Sequence, residues 1–149
     1  MARKGIEILS RGVHVAGGHV LLCHTKGAGN TYLPGGHVEF MEKASDGLVR
    51  EIAEELGLDA HAGAFLGAVE HTFVQKGKRH CEVNIVFRMD IEGIRPPAAP
   101  PSREGYIEFL WAPLDALGAA KLEPVVLCEA LPRWLEGEST SERWLSAYV

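Results

Sequence analysis

Residues Leu33–Leu58 read LPGGHVEFMEKASDGLVREIAEELGL, and this stretch says more about the fold than any other. Within Lys43–Leu56 the apolar residues recur every three to four positions, which is the period of an amphipathic helix. Gly57 follows directly and is typical of a residue that ends a helix. Pro34–Gly36 precedes the helix, and a proline followed by two glycines favours a turn. The stretch therefore predicts a turn, a loop and a helix, in that order.

The polar face of this helix is acidic. At 100° per residue, Glu51, Glu54 and Glu55 share an arc of roughly 100°, opposite the apolar stripe. Glu39 and Glu42 lie on the approach to the helix. An ordinary solvated face is one explanation, although like charges at this spacing repel. A glycine turn beside so many carboxylates favours the other explanation, a site for Mg²⁺ or Mn²⁺, because these cations prefer oxygen ligands.

The same stretch resembles a known family. The Nudix signature is GX5EX7REUXEEXGU, where U is aliphatic, and the chain fills each fixed position with Gly36, Glu42, Arg50, Glu51, Ile52, Glu54, Glu55, Gly57 and Leu58. The resemblance implies an α+β fold, an α/β/α sandwich with a mixed β-sheet, in which the motif forms a loop–helix–loop. It also implies metal-dependent hydrolysis of a diphosphate linkage in a nucleoside diphosphate derivative.

The resemblance also implies roles for individual residues. Glu51 and Glu55 match the principal metal ligands, Glu54 matches a glutamate that shares the metal or orients water, and the Gly35 carbonyl matches a backbone ligand. Arg50 and Glu42 match a structural pair that holds the loop against the helix. With one acid from outside the motif, the catalytic candidates are Glu54, Glu55, Glu104 and Arg50.

Two positions depart from the commonest family pattern. Met41 stands where glycine is usual, which questions the usual loop conformation. Gly47 stands where alanine is usual, one turn before Glu51, although glycine inside a helix costs about 1 kcal/mol relative to alanine. We expect another backbone to pack closely against Gly47, the alternative being a site that needs room.

The additional acid is expected from a late loop or strand. Glu104 is the first candidate, Glu108 the second and Glu70 the third. Glu104 lies in the loop Gly93–Gly105, whose four prolines withhold backbone donors, so we expect this loop to stay out of the sheet. We predict that it borders the active site.

Other side chains are weaker candidates, because surface or packing roles explain the basic turn equally well and explain the histidines and aromatic residues better. Four histidines near strand ends could bind phosphate or transfer protons, a basic turn could reach a phosphate, and four aromatic residues could stack on a base. The histidines are His24, His37, His71 and His80. The basic turn consists of Lys76, Lys78 and Arg79, and the aromatic residues are Tyr32, Phe40, Phe73 and Trp111.

The flanking sequence predicts a β-rich region on each side of the central helix, followed by short helices. We expect a hairpin turning at Gly17–Gly18, and then a short extended piece at Thr31–Leu33. The later elements are strands Ala64–Val74, Glu82–Ile91 and Tyr106–Trp111, and helices beginning at Pro113 (to Leu117), at Pro124 (to about Pro132) and within Ser139–Ala147.

Length and composition limit the function. The 149 residues suit a single domain, 1–149, and the net charge of -5 does not favour nucleic acid or an anionic membrane as a partner. Cys23, Cys81 and Cys128 form no CxxC pair, which favours reduced thiols in a cytoplasmic protein. The expected partner is a small nucleotide: a nucleotide sugar, ADP-ribose, a nucleoside triphosphate or a dinucleoside polyphosphate. A homodimer is compatible with the sequence. The alternative function is a non-catalytic nucleotide sensor on the same fold.

Overall fold

The computed structural model describes residues 4–137 and 142–148, and these residues form two sheets and two helices. In chain order the elements are β1 (Glu7–Val13), β2 (Val15–Ala16), β3 (His19–Thr25), β4 (Gly35–His37), α1 (Ala44–Leu56), β5 (Ala60–Gln75), β6 (Lys78–Ile91), β7 (Ile107–Pro113), α2 (Leu127–Leu135) and β8 (Trp144–Ala147).

The larger sheet has the order β4-β1-β6-β5-β8, and the smaller has the order β2-β3-β7. In the larger sheet β1 pairs with β6, and β5 with β8, in parallel, whereas the other neighbours are antiparallel. The predicted α+β architecture with a mixed sheet is confirmed.

The two helices pack on opposite faces of the larger sheet. Ser10 and Arg11 are consecutive in β1, so their side chains point to opposite faces. Helix α1 covers the Ser10 face, where Gly47 lies beside the Ser10 hydroxyl. Helix α2 covers the Arg11 face. Its Trp134 packs on Gly67 of β5, which the register places in line with Arg11 through Val86 of β6. The sheet is therefore sandwiched between the helices, as expected.

Helix α1 is held by its apolar stripe. Leu48, Ile52 and Leu56 are buried together with Met89 of β6. Fully burying each such side chain contributes on the order of 1.5–3 kcal/mol. Gly57 ends the helix in the left-handed conformation, with its N–H bonded to the Ala53 carbonyl. The predicted helix, Lys43–Leu56, thus agrees with the observed one to within a residue.

The predicted loop at Gly93–Gly105 contains no strand and joins neither sheet. Trp111 of β7 holds this loop in place, because its indole Nε1 donates a hydrogen bond to the Ala98 carbonyl at 2.9 Å. The predicted hairpin is also present, because β2 and β3 pair across Gly17–Gly18 and both glycines have positive φ.

The helix predicted within Ser139–Ala147 is wrong where the structure describes it. Residues 139–141 lie outside the described residues, and Trp144–Ala147 form β8, a parallel edge strand on β5. The Arg143 carbonyl accepts a hydrogen bond from the N–H of Ala68 in β5. Pairing with the open edge of β5 therefore outweighs the weak local helix signal.

Two other helix predictions also need correction. Pro113–Leu117 is not helical, because Pro113 pairs with His19 as the last residue of β7 and the chain then continues in turns. The helix expected from Pro124 begins later, at Leu127, and continues beyond Pro132 to Leu135.

The three cysteines are free thiols, and Cys23 is buried. Within residues 4–137 and 142–148, neither helix has the length and apolarity to cross a membrane.

Candidate active site

The three helix glutamates differ in exposure. Only 8% of Glu55 is exposed, whereas the side chain of Glu54 is 52% exposed and that of Glu51 is 17% exposed. An ordinary solvated face therefore describes Glu54 but not Glu55, because carboxylates are almost never fully buried without a partner.

The glycine turn lies against these carboxylates. A methyl group at Gly36 would overlap the Glu51 carboxylate, so only glycine lets this side chain approach the backbone. Gly35 has a φ of 138°, and a side chain there would overlap the Ser10 carbonyl oxygen. The turn and the first glutamate of the helix are thus brought together as the sequence predicts.

Arg50 binds both the loop and the helix. Its Nε and Nη2 donate to the two Glu42 carboxylate oxygens at 2.8 and 3.0 Å, and Nη2 also donates to the His37 carbonyl at 3.0 Å. Its Nη1 donates to Glu51 at 3.1 Å and to Glu54 at 3.2 Å. One guanidinium therefore fixes the loop and reduces repulsion between neighbouring carboxylates.

The electrostatics of Glu42 agree with this pairing. The hydrogen bond from Arg50, followed by one from the Glu39 backbone N–H, lowers the pKa of Glu42 to about 2. The carboxylates of Glu42, Glu51 and Glu54, conversely, raise the pKa of Arg50 above its usual value. Both groups are therefore charged over the whole physiological pH range.

The Glu42 carboxylate also explains Gly47, and the expectation of a close backbone there is wrong. The atoms nearest to a methyl group at Gly47 would be side-chain atoms of Glu42 and the Ser10 hydroxyl. Glu42 Oε1 would lie 2.8 Å from such a methyl group. Glycine is thus suited to this position because the Glu42 carboxylate occupies the space that a side chain would need.

Glu55 is the electrostatic anomaly of the site. Burial, followed by the nearby charge of Glu51, raises its pKa to about 8, with Glu104 and Glu54 adding to the shift and Arg11 opposing it. Its Oε2 is buried and has no hydrogen-bond partner among the described residues. A buried acceptor without a donor is costly, and a cation would satisfy it.

The loop Gly93–Gly105 contacts the C-terminal end of α1. The Arg103 N–H donates to the Glu55 carbonyl at 2.7 Å, and the charge of Glu104 contributes to the raised pKa of Glu55. The other two candidate acids have partners elsewhere, since Glu108 faces His24 at 3.6 Å and Glu70 accepts from the Ser146 hydroxyl at 2.5 Å. Of the three candidate acids, Glu104 is thus the one whose charge acts on Glu55.

No three His, Cys, Asp or Glu side chains of the described residues already form a metal-binding cluster. Glu51 and Glu54 each direct an oxygen toward Arg50 instead. Metal binding by these glutamates would therefore require them to turn away from Arg50.

The weaker candidates lie apart from the helix glutamates or are bound to other groups. His37 and His80 both contact Glu7, at 2.9 and 3.4 Å, and His80 stacks on Phe73 at 4.8 Å. Phe40 is 95% exposed. The remaining ones are His24, bound to Glu108; His71, facing Glu82; Trp111, bound to Ala98; Tyr32, beneath Arg11; and Lys76, Lys78 and Arg79, at the exposed β5–β6 hairpin tip.

Sequence reasoning missed a polar group on the Arg11 face of the sheet. Arg11, Glu82 and Asn84 are linked by hydrogen bonds, and Glu82 and Asn84 are buried. The available signal was a charged residue within the apolar strand β1, and an alternating Glu–Asn pair in β6. Polar residues at such positions need partners.

Comparison with known proteins agrees with the geometry. Residues 9–130 match the sequence model of the family described as NUDIX domain. A Mycobacterium tuberculosis (strain CDC 1551 / Oshkosh) relative named "Putative mutator protein MutT4" is 43% identical over 47 residues, covering 32% of this chain and 19% of that protein. The chain thus matches about a fifth of the length of this relative.

Solved structures extend the similarity across the fold. The MutT NUDIX hydrolase of Burkholderia pseudomallei superposes with a TM-score of 0.62 at 27% identity, covering 75% of this chain and 86% of that one. The MutT protein of Methanosarcina mazei Go1 gives a TM-score of 0.68 at 24% identity, covering 94% and 100%. Since the family pattern spans most of the chain and the same fold recurs, the chain belongs to the Nudix hydrolase family.

Proposed function

We propose that this Nudix hydrolase cleaves a diphosphate linkage in a small nucleoside diphosphate derivative and that it requires Mg²⁺ or Mn²⁺. The observation that supports this most is the unpartnered, buried Oε2 of Glu55 beside the Glu51 carboxylate. Nothing in the fold itself requires two acids there, because an apolar pair would pack at less electrostatic cost.

The donor set fits a hard cation. Glu51, Glu54 and Glu55 supply carboxylate oxygens on one helix face, and the Gly35 carbonyl would add a backbone oxygen. Oxygen ligands of this kind suit Mg²⁺ and Mn²⁺ rather than a soft metal. When bound, the metal would neutralise phosphate charge, polarise phosphorus and make water a better nucleophile.

The residues of the chain divide the remaining work. Arg50 and Glu42 hold the loop so that the Gly35 carbonyl stays beside the helix. Glu54 is the most exposed of the helix glutamates, and its second carboxylate oxygen, which Arg50 does not bind, is the candidate for orienting water. Glu104 approaches from the loop Gly93–Gly105 and is the candidate for the base that takes the proton of the attacking water. The hydrolysis adds water across one P–O–P bond and gives two phosphorylated products.

The substrate is expected among nucleotide sugars, ADP-ribose, nucleoside triphosphates and dinucleoside polyphosphates. The experiment is to measure phosphate or nucleotide release from a panel of these compounds, with Mg²⁺, with Mn²⁺ and with EDTA. Metal-dependent release from at least one class supports the proposal. Tight nucleotide binding without release would favour a non-catalytic sensor, which the full set of motif glutamates argues against.

A further inference from the structure

Four polar side chains, which we call the Arg11 network, cross the larger sheet on the face away from α1. They are Arg11 of β1, Asn84 and Glu82 of β6, and His71 of β5. The strand register pairs Glu82 with His71. It pairs Arg11 with Val86, and Asn84 lies two residues before Val86, on the same face of β6. The network therefore runs across three adjacent strands.

The hydrogen bonds of this network fix the guanidinium of Arg11. Its Nε donates to Asn84 Oδ1 at 3.1 Å, and its Nη1 donates to the Leu33 carbonyl at 3.0 Å. The Tyr32 ring lies 5.4 Å below it. Asn84 Nδ2 donates to Glu82 Oε1 at 3.0 Å, so the amide is oriented from both sides. Arg11 is thus held in one direction by Asn84 of β6 and by the Tyr32–Leu33 segment that precedes β4.

Holding Arg11 this way has an energetic cost. Asn84 is 2% exposed and Glu82 is 7% exposed. Burial alone would raise the pKa of Glu82, but the nearby His71, whose Nδ1 lies 3.5 Å from Glu82 Oε1, the hydrogen bond from Asn84 and the charge of Arg11 hold it below its usual value. A buried ionic network often stabilises a fold no better than apolar side chains would. Its presence here favours a functional role.

The position of Arg11 indicates that role. In the register, Arg11 lies directly opposite Gly35, and the next residue of the turn, Gly36, packs against the Glu51 carboxylate. The Nη1 of Arg11 is bonded to the Leu33 carbonyl, two residues before Gly35, so the guanidinium lies at the start of this glycine turn. Among the described residues, no protein group accepts a hydrogen bond from its Nη2. A fixed guanidinium with a spare donor beside an acidic site is suited to a phosphate oxygen.

We propose that Arg11 binds a phosphate group of the diphosphate substrate through Nη2, and that Asn84 and Glu82 are positioning residues that hold it there. The inference rests on the proposed function, because it assigns Arg11 to the same substrate. It adds a phosphate contact from strand β1, outside the glutamate motif.

The test uses imidodiphosphate, a diphosphate analogue whose bridging nitrogen resists hydrolysis, with Mg²⁺ and isothermal titration calorimetry. Arg11→Gln should weaken binding at least tenfold. Arg11→Lys, which keeps the charge but loses the planar set of guanidinium N–H donors, should weaken it less. Arg79→Gln is the matched control, since Arg79 is exposed at a hairpin tip seven residues along β6 from the partner of Arg11, roughly 23 Å away. It should bind as the wild type does. Equal affinity of Arg11→Gln and wild type would overturn the inference.

A second measurement does not depend on the folding of Arg11 variants. In wild-type protein, the guanidinium ¹⁵N resonances of Arg11 should shift when Mg²⁺ and imidodiphosphate are added, whereas those of Arg79 should not. In Asn84→Leu this response should shrink and affinity should fall severalfold, which a purely structural role would not produce in a variant of normal melting temperature. Unmoved Arg11 resonances in the saturated wild type would refute the phosphate contact. An unchanged response in Asn84→Leu would refute the positioning role.

The two proposals fail differently. If the wild type neither binds imidodiphosphate nor releases product from the nucleotide panel, the proposed function fails and the Arg11 inference fails with it. If the wild type binds and hydrolyses but Arg11→Gln does both equally well, only the Arg11 inference is overturned.

Discussion

The backbone N–H of Arg103 donates a hydrogen bond of 2.7 Å to the carbonyl oxygen of Glu55. Glu55 lies in the last turn of α1, where carbonyls have no partner within the helix. The Arg103 guanidinium also lies against Gly57, where a positive charge favours the negative end of the helix dipole. The proline-containing loop is therefore anchored at the same residue whose side chain is the buried acid of the candidate site.

Glu55→Gln should lower turnover at saturating Mg²⁺ by at least a hundredfold, because it removes a charged ligand while preserving shape. Its melting temperature should hold or rise, since a buried and repelled carboxylate is replaced by a neutral amide. Steady-state kinetics and thermal unfolding measure both effects. Glu129→Gln, an exposed change on α2, is the control and should alter neither. Near-normal turnover in Glu55→Gln would contradict the metal assignment.

The stability of the metal-free protein should depend on the ionisation of Glu55. Its pKa is raised from 4.5 to about 8, chiefly by burial, so between these values the folded state keeps a proton that the unfolded state has released. The free energy of unfolding should therefore be highest at the acidic end of this window and fall as pH rises through about 8. Urea unfolding in EDTA at several pH values measures this dependence.

At each pH, the free energy of unfolding of Glu55→Gln is subtracted from that of the wild type. The difference isolates the contribution of Glu55 from those of other titrating groups. The difference between wild type and variant should grow in the variant's favour from about pH 5 to pH 8. Parallel profiles would mean that Glu55 is solvated and ionised in the folded protein.

Arg50→Ala should lower both melting temperature and turnover, because it breaks the bidentate pair with Glu42 and leaves three carboxylates uncompensated. The pKa of Glu42 is held at about 2, so the stability from this pair should be lost as pH falls from 4.5 toward that value. Thermal melts of both proteins at neutral and acidic pH test this. If Arg50→Ala melts normally yet does not turn over, Arg50 acts directly on the phosphates rather than through the loop.

Met41→Gly should stabilise the protein by about 0.5–1 kcal/mol. Met41 has a φ of 64°, a conformation that costs a non-glycine residue roughly 1–2 kcal/mol, and the greater freedom of glycine in the unfolded chain offsets part of the gain. Little packing is lost, because Met41 is 91% exposed. Phe40→Gly is the matched control: Phe40 is equally exposed but has no positive φ, so it should not stabilise. Chemical denaturation of both variants decides the question.

The same residue shows both a limit and a strength of sequence reasoning. The methionine led us to question the usual loop conformation, yet Met41 has the left-handed φ that glycine adopts most readily, so the side chain alone did not reveal the backbone conformation. Helix α1 could be predicted to within a residue because its apolar period and its terminal glycine are local signals. The strands β5 and β6 could likewise be predicted from local signals, their β-branched and aromatic residues, although each extends beyond its predicted limits.

What the sequence did not reveal depends on distant pairing. Strand β8 forms because β5 offers an open edge, and Trp144 by itself does not indicate this. Arg11, Asn84 and Glu82 are far apart in the chain and become a network only through the register of β1 with β6. Likewise, the space beside Gly47 is filled by Glu42 only because Arg50 holds that carboxylate over the helix.

Glu104→Gln should cut turnover at least tenfold, equivalent to about 1.4 kcal/mol of barrier, with little change in stability. The reason is positional: the loop that carries Glu104 is bonded to α1 at Arg103, and the charge of Glu104 already acts on Glu55. Glu108→Gln and Glu70→Gln are matched controls, since each makes the same change at an acid whose partner lies elsewhere. If Glu104 is the base, its effect should fall on kcat and flatten the acidic limb of the pH–rate profile, while binding of Mg²⁺ and imidodiphosphate stays intact. If Glu104 instead holds the metal, binding should weaken with turnover. Unchanged turnover in Glu104→Gln, with a loss in either control, would transfer the role to that acid.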